Sequence, residues 1–195
     1  MNIFYLDKDP KLAAEYHCNK HVLKLLLESA QMLCTAHWLS MPAFKQGTTP
    51  GERPKTVIER IRNTVPANKL PPWGVTHVNH PSAVWTRSST SHYVWHSKLG
   101  LELCAEYTRR YARRHKSEDV HLWLSQNLPL ITDLGFVEPP TCMPDDVKVQ
   151  GNAVASYRNY YVKYKSRMAV WEPRAKVPHW YSQEINSVKM SALSI

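Results

Sequence analysis

The chain lacks the features of a membrane span and of a disulfide-stabilised secreted scaffold. No apolar run approaches the about 18–20 residues that cross a bilayer, and the longest, residues 22–27, is interrupted by Lys24. The four cysteines are scattered, and none forms a Cys-x-x-Cys pair. The first residues lack the basic start and small-residue cleavage site of a signal peptide. We therefore expect no membrane partner, and thiols that stay reduced in a cytosol.

Acidic residues and phenylalanine are scarce, whereas basic and amphipathic aromatic residues are abundant. The chain has 25 Lys and Arg against 16 Asp and Glu, a net charge of +9, and only three Phe beside seven Trp and ten Tyr. Residues 51–100 and 151–195 each carry seven cations against two acids, so the excess is not confined to a tail. This composition is typical of proteins that bind phosphates and bases, and it predicts a nucleic acid or a nucleotide as partner. A basic surface without such a partner is the plain alternative.

The periodicity of apolar residues predicts a single all-α domain over residues 1–195. Asp9 followed by Pro10 is a strong helix start, and nothing interrupts the pattern until about Ser40. Prolines and glycines punctuate residues 41–80, which are predicted to be an irregular excursion with one short helix at 56–63. The remaining predictions are helices at about 80–115 with a break near 88–91, at 120–127 and at 152–171, and a polar tail at about 182–195.

Polar residues of the first predicted helix gather in one arc, while the rest of its circumference is apolar. At about 100° per residue, the arc is roughly 80° wide and contains His17, His21, Lys24, Glu28 and Gln31, with Lys20 at its edge. A solvated face with a Lys24–Glu28 ion pair is one interpretation. We favour a cleft in which His17, His21 and Glu28 transfer protons, while Lys20 and Lys24 bind phosphate.

The spacing of His17 and His21 also raises the question of a metal. Two histidines four residues apart on a helix can share a metal ion. Lys20 and Lys24 flank the pair, however, and cations beside a dication are electrostatically unfavourable. No His-Glu-x-x-His motif is present. We therefore predict no cofactor, and a metal at His17 and His21 is the less favoured alternative.

The second predicted helix begins with His80 and Pro81, and Arg87 follows two turns later. The free N–H groups at a helix start favour an anion, so His80 is predicted to assist catalysis. Arg87 offers two parallel donors to a phosphate. Trp85 would line the cleft or simply pack in the core, and the four hydroxyl residues at 88–91 suit a bend or ligand contacts.

The last predicted helix carries tyrosines along one stripe and cations on the next. Such an aromatic stripe is more often core, but each tyrosine hydroxyl needs a partner, which favours Tyr157 and Tyr161 as cleft-lining or base-stacking residues. Arg158 and Lys165 are predicted to bind phosphate. In contrast, the arginines that end the second helix are predicted to be solvated: Arg109, Arg110, Arg113 and Arg114.

Several motifs together resemble a family of small, largely uncharacterised proteins encoded by tailed bacteriophages. They are Asp7-x-Asp9-Pro10, His17-x-x-Lys20-His21-x-x-Lys24, His80-Pro81 with Trp85 and Arg87, Met143-Pro144, and Tyr157-Arg158-x-Tyr160-Tyr161 with Lys165. Asn19 departs from the pattern, in which an acid is expected. The resemblance spans most of the chain and implies a phage protein acting in the cytoplasm of an infected host cell.

Together, the residues and the phage setting predict an enzyme, a transferase or hydrolase that acts on DNA or a nucleotide. Base modification or glycosylase-type chemistry would suit the aromatic residues. Hydrolysis of a phosphate ester would suit the cations. The alternative is a non-catalytic phage protein that binds nucleic acid or a host factor, which needs the cations and aromatic residues but not His21 and Glu28. A purely structural helical protein would leave the histidines unexplained.

Overall fold

The computed structural model describes the backbone of residues 2–193 and the side chains of residues 2–186. This part of the chain is helical and contains no strand, so the predicted all-α fold class is confirmed. Its α-helices are α1 (Pro10–Tyr16), α2 (Asn19–Ser40), α3 (Pro42–Gly47), α4 (Pro54–Arg62), α5 (Pro81–Thr86), α6 (Thr90–Tyr111), α7 (Glu118–Gln126), α8 (Ala153–Tyr160) and α9 (His179–Leu193). Short 3-10 helices lie at Ala67–Lys69 and Asp145–Val147, and a π-helical turn spans Tyr161–Lys165.

Helices α2 and α6 form the centre of the molecule. Each has 22 residues, and they pack against each other along their length. Helix α1 lies on α6, the short α5 lies on α2, and α7 contacts both central helices. Because apolar side chains surround α2 on most sides, this helix is buried over much of its length, as its composition predicts.

The segment 2–6 is threaded through the core and is buried over its whole length. Asn2 holds it, since its Oδ1 accepts a hydrogen bond from Tyr157 Oη at 2.7 Å and its Nδ2 donates to the carbonyl of Cys142 at 2.9 Å. Phe4 adopts a left-handed backbone conformation with φ of 50°. That conformation is costly for a residue with a Cβ and persists only where the surroundings enforce it. Phe4 thereby points its ring at α2.

The first predicted helix is in fact two helices. Helix α1 ends at Tyr16 and α2 begins at Asn19, so the helical conformation is interrupted at His17 and Cys18. Arg110 stabilises the break, because its Nη1 donates to the carbonyl of His17 at 2.7 Å and its Nη2 donates to the carbonyl of Glu15 at 2.9 Å. Carbonyls at a helix end have no partner within the helix, and Arg110 supplies one.

Arg110 also corrects the prediction that the whole arginine run is solvated. Its side chain is 0% exposed and pairs with Glu106 at 2.7 Å, whereas Arg109, Arg113 and Arg114 are exposed as expected. The local pattern of charges reveals the pair with Glu106 but not the burial of Arg110, because its other partners lie on α1, at the break after it and on α2.

Residues 41–80 contain more helix than predicted. The expected helix at 56–63 corresponds to α4, but α3 was not foreseen. Four helices begin with proline at their first position, where no backbone N–H is needed, so Pro42 and Pro54 start helices here and do not only interrupt them. Helices α3 and α4 pack their apolar side chains into a cluster of their own around Trp38.

The end of the chain also departs from the prediction. Helix α8 stops at Tyr160 and continues as the π-helical turn, so no α-helix extends to Trp171. Helix α9 covers residues 179–193, and therefore most of the polar tail predicted at about 182–195. The side chains of that tail from residue 187 onward lie outside the described part.

Candidate active site

The break between α1 and α2 removes His17 from the helical stripe. His17 is fully buried, and neither of its ring nitrogens has a hydrogen-bond partner among the described residues. Burial lowers the pKa of His17 to about 4, and the charge of Arg110 lowers it further. A neutral imidazole sealed in the core is out of reach of a substrate. This placement corrects the expectation that His17 faces a cleft.

His21 lies at the inner edge of α2 and is 3% exposed. Its Nδ1 is hydrogen-bonded to the hydroxyl of Tyr161, and the ring of Phe4 packs against it with centroids 4.1 Å apart. Burial, together with the smaller effects of His17, Lys165, Lys24 and Lys20, lowers the pKa of His21 to about 2. His21 is therefore neutral at physiological pH and is held in one orientation.

Three lysines surround His21 from two separate segments. Lys20 and Lys24 are exposed on α2, and Lys165 comes from the π-helical turn, where its Nζ lies 4.6 Å from the centroid of the Tyr160 ring. All three act electrostatically on His21. We call Lys20, Lys24 and Lys165 the lysine face. The structure thus brings together three of the five cations that the sequence predicts for phosphate binding.

The side of α2 that faces solvent does not coincide with the arc of polar residues predicted from the sequence. Leu23 and Leu27 are exposed there beside Lys20 and Lys24, whereas His21 points inward and Glu28 lies at the edge. The lysine face therefore combines positive charge with apolar side chains.

The π-helical turn explains why Lys165 and Tyr161 reach the same histidine. The wide turn buries Tyr161 fully and directs its hydroxyl to His21. Lys165, at the end of the turn, lies only partly exposed nearby. Such turns are rare and are frequent at functional sites. A sequence that reads as continuous helix gives no signal for this geometry.

Glu28 and His80 form a second pair of polar groups beside the lysine face. One oxygen of Glu28 lies 3.4 Å from Lys24 Nζ, and the Glu28 side chain is 14% exposed. His80 caps α5, with its Nδ1 accepting the N–H of Ser82 at 3.2 Å, so Nε2 carries the proton in the neutral ring. Burial lowers the pKa of His80, and the charge of Glu28 opposes that shift. Glu28 and His80, two of the four residues predicted to be catalytic, thus interact electrostatically.

Arg158 does not join the lysine face. Its Nε donates to the carbonyl of Leu6 and its Nη2 to Asp7, both at 3.0 Å, and its guanidinium lies over the rings of Tyr16 and Trp180. These contacts attach segment 2–6 and Asp7 to α8. The donors of Arg158, which the sequence predicts to bind phosphate, are therefore used within the protein.

The aromatic residues predicted to line a cleft lie in the core instead. Trp85 is buried, stacks on His92 and donates to the carbonyl of Val137 at 2.9 Å. Tyr157 is fully buried, and its hydroxyl bonds to Asn2 and to Pro140. Tyr161 is likewise closed off by its contact with His21. The tyrosine hydroxyls do find partners, as expected, but the partners are protein atoms.

Arg87 lies in a different part of the molecule. It ends α5 and lines a groove with Ala36, Leu39 and Ser40. At 1.5 Å per residue along α2, that groove begins about 22 Å from His21. The predicted convergence of the three cationic segments on one cleft is therefore corrected: the lysine face and Arg87 are separate.

Sequence reasoning missed Asp133, which explains the hydroxyl cluster at 88–91. Its Oδ1 accepts hydrogen bonds from Ser89 Oγ at 2.8 Å, from Ser91 Oγ at 2.7 Å and from the N–H of Ser91. These bonds, led by that of the Ser91 hydroxyl, lower the pKa of Asp133 to about 2. The hydroxyls therefore anchor the loop 128–137 to the break between α5 and α6.

Two further findings concern metals and membranes. Among the described side chains, no three His, Cys, Asp or Glu residues are grouped so that they could hold a metal ion. In the same part of the chain, no helix has the length and apolar character needed to cross a bilayer. Comparisons of the chain with protein-family models, with curated proteins and with solved structures find no match.

Proposed function

We propose that the protein is a phage-encoded enzyme, a transferase or hydrolase, that binds the phosphates of DNA or a nucleotide on the lysine face. The observation that carries the proposal is the meeting of Lys20, Lys24 and Lys165 around one buried imidazole beside Glu28. Within the described residues, neither Lys20 nor Lys165 has an acidic partner. Cations left without acids are available to phosphate.

The roles of the neighbouring side chains follow from their burial. His21 is neutral and locked by Tyr161, so it orients the site and does not exchange protons near neutral pH. His80, whose pKa lies below its ordinary value, is neutral at pH 7 and can accept a proton, and Glu28 would stabilise the resulting imidazolium.

The geometry favours phosphate-ester chemistry over base chemistry. Trp85, Tyr157 and Tyr161 are buried, so none of them offers a stacking platform for a flipped base. The exposed side of α2 places Leu23 and Leu27 beside the lysines, where they can contact the sugar. Cations that neutralise a phosphate in the transition state are a major source of rate acceleration.

A specific observation favours a second candidate, a non-catalytic binding protein. Two of the four residues predicted to be catalytic, His17 and His21, are buried and neutral, with pKa values of about 4 and 2. A protein that only binds nucleic acid or a host factor would need the lysine face but neither histidine.

Titration of a labelled duplex oligonucleotide at several salt concentrations tests the binding. The double variant Lys20→Gln, Lys165→Gln should lower the slope of log affinity against log salt by about two units, at ~0.9 per phosphate contact. Lys55→Gln is the matched control, because Lys55 is exposed on α4 and paired with Glu59. Equal slopes for both variants would refute phosphate binding at this face.

Turnover separates the two candidates. Glu28→Gln and His80→Gln should each abolish release of product from DNA or nucleotides while leaving affinity within about tenfold, or ~1.4 kcal/mol. A mass spectrum of the nucleosides of phage DNA, with and without the gene, detects base modification directly. Full binding with no reaction in either assay would establish the non-catalytic candidate.

A further inference from the structure

The groove at Arg87 has the form of a small-molecule site. It lies between the end of α2, helix α3 and the loop 128–137, and its volume is about 370 Å³. Two cations, Lys45 and Arg87, line it together with hydroxyl and apolar side chains, and no acidic residue is among the described residues that form its walls. We call it the Arg87 groove. Its volume falls at the lower end of the roughly 300–1,000 Å³ range of ligand pockets.

The guanidinium of Arg87 has no partner among the described residues. Its Nη1 is buried without a hydrogen bond, and within the described part of the chain its side chain makes no ion pair. The residue as a whole is partly buried, and this burial lowers the pKa of Arg87. A partly buried charge without a partner opposes folding, and a ligand of opposite charge would relieve that cost.

A structural explanation accounts for only part of this arrangement. Helices α2 and α5 both end at the groove, and helix C-termini favour a nearby cation. The side chain of Arg87, however, donates no hydrogen bond to any described carbonyl at these ends. The dipoles also leave unexplained why apolar side chains such as Leu39 and Leu134 surround two cations.

Hydrogen bonds hold two walls of the groove in place. Arg87 caps α5 through its backbone N–H, which donates to Trp85 and Val84. Opposite, the loop is fastened by Asp133, whose charge is taken up by Ser89 and Ser91 and which lines a separate groove. When pocket walls are already held in place, less of the binding free energy is lost in ordering them around a ligand.

We propose that the Arg87 groove binds a small organic phosphate monoester. The phosphate would lie between Arg87 and Lys45, with the hydroxyls of Ser40 and Ser88 within the same walls, and the organic part would pack on Leu39 and Leu134. The paired donors of a guanidinium match phosphate oxygens in geometry as well as in charge. This site is independent of the lysine face, about 22 Å away along α2.

Calorimetric titration of the full chain with a nucleoside 5′-monophosphate tests the proposal. We expect saturable binding of the monophosphate, none of the unphosphorylated nucleoside, and at least a tenfold loss of affinity in Arg87→Gln. Arg62→Gln is the matched control, because Arg62 is exposed at the end of α4. A short oligonucleotide with and without a 5′-phosphate distinguishes a free nucleotide from a strand end as the source of the phosphate.

Two more measurements keep the test decisive. Lys45→Gln, on the exposed side of α3, should weaken binding in the same direction even if Arg87→Gln folds poorly. Monophosphate binding that weakens in Arg87→Gln belongs to this groove, whereas binding that weakens only in Lys20→Gln would belong to the lysine face and would overturn the proposal for the groove, so the two sites give different results. No binding at millimolar monophosphate, or equal affinities in Arg87→Gln and Arg62→Gln, would overturn the proposal.

Discussion

The break between α1 and α2 and the Arg87 groove differ in whether their buried ionisable groups have partners. Around the break between α1 and α2, charge is either neutralised, as in His17 and His21, or fully paired, as in Arg110. In the Arg87 groove, a partly buried guanidinium is left without any described partner. The comparison teaches that burial alone does not mark a functional arginine. Unsatisfied hydrogen-bond donors distinguish Arg87 from Arg110 better, because an unsatisfied buried donor does not stabilise the fold.

Acid is expected to have the largest effect, because it favours the unfolded chain, in which histidines buried at the break and elsewhere in the core can take up protons. His17, His21, His37, His96 and His121 are buried, and burial lowers the pKa of each to between about 2 and 4. In the unfolded chain they take up protons near pH 6.5. Stability is therefore complete above that pH and falls as pH drops, by about 1.4 kcal/mol per pH unit for each histidine and roughly 7 for all five.

That loss is comparable to the whole stability of a typical domain. We expect cooperative acid unfolding with a midpoint between about pH 4.5 and 6. Circular dichroism at 222 nm, which reports the loss of helix, measures this midpoint. His179→Gln is the control, since His179 is exposed and its replacement should leave the midpoint unchanged. A midpoint below pH 4 would show that these histidines gain no protons on unfolding.

Replacing Arg110 tests the paired region directly. Arg110→Met removes the donors to His17 and Glu15 and breaks the buried ion pair with Glu106. Breaking such a pair by removing one partner costs about 3–5 kcal/mol. Urea unfolding measures the loss, and Arg113→Met, at an exposed position near the same helix end, should change stability by less than about 0.5 kcal/mol. Similar values for both variants would contradict the structural role.

A third substitution tests how tightly a buried histidine is held. A Cβ on Gly100 would overlap the ring of His121, whose Nε2 is hydrogen-bonded to the carbonyl of Leu26 at 2.9 Å. Gly100→Ala should therefore destabilise the protein by about 1–3 kcal/mol, as overpacking does. Gly151→Ala is not a suitable control because of its positive φ, whereas Gly74→Ala meets only ordinary contact. A neutral Gly100→Ala would mean that His121 can move.

The smallest effect is expected at Arg87. Because its side chain has no described partner, Arg87→Gln should change the free energy of unfolding by less than about 0.5 kcal/mol, or raise it. The same urea titration used for Arg110→Met provides the comparison. A loss of several kcal/mol would place both arginines in the same structural class and remove the contrast between the two regions.

Local chemistry was enough to predict the fold class and several helix starts. Asp9 caps α1 by accepting the N–H of Lys11, and His80 caps α5, as their sequence neighbours Pro10 and Pro81 indicate. The break at His17 was not predictable, because it depends on Arg110, 93 residues away. Helical periodicity cannot reveal a carbonyl that is satisfied by a distant side chain.

The candidate site was predictable in part for the same reason. Lys20 and Lys24 follow from helix geometry, and Lys165 joins them as the sequence reading expected. The sequence could not show that the hydroxyls of Tyr157 and Tyr161 are hydrogen-bonded to Asn2 and His21, because the partners are 140 residues or more apart along the chain. Tyrosine therefore indicated a polar partner correctly but not whether the partner was solvent or protein.

The buried segment 2–6 has a consequence for biosynthesis. Asn2 bonds to Tyr157, 155 residues later, so segment 2–6 cannot complete its contacts until α8 has been made. At about 5–20 residues per second, the apolar stretch 3–6 waits roughly 8–30 s on the nascent chain. During that interval Ile3, Phe4 and Leu6 are accessible to chaperones. Enclosure of segment 2–6 therefore waits for the synthesis of α8, and this part of the core closes late.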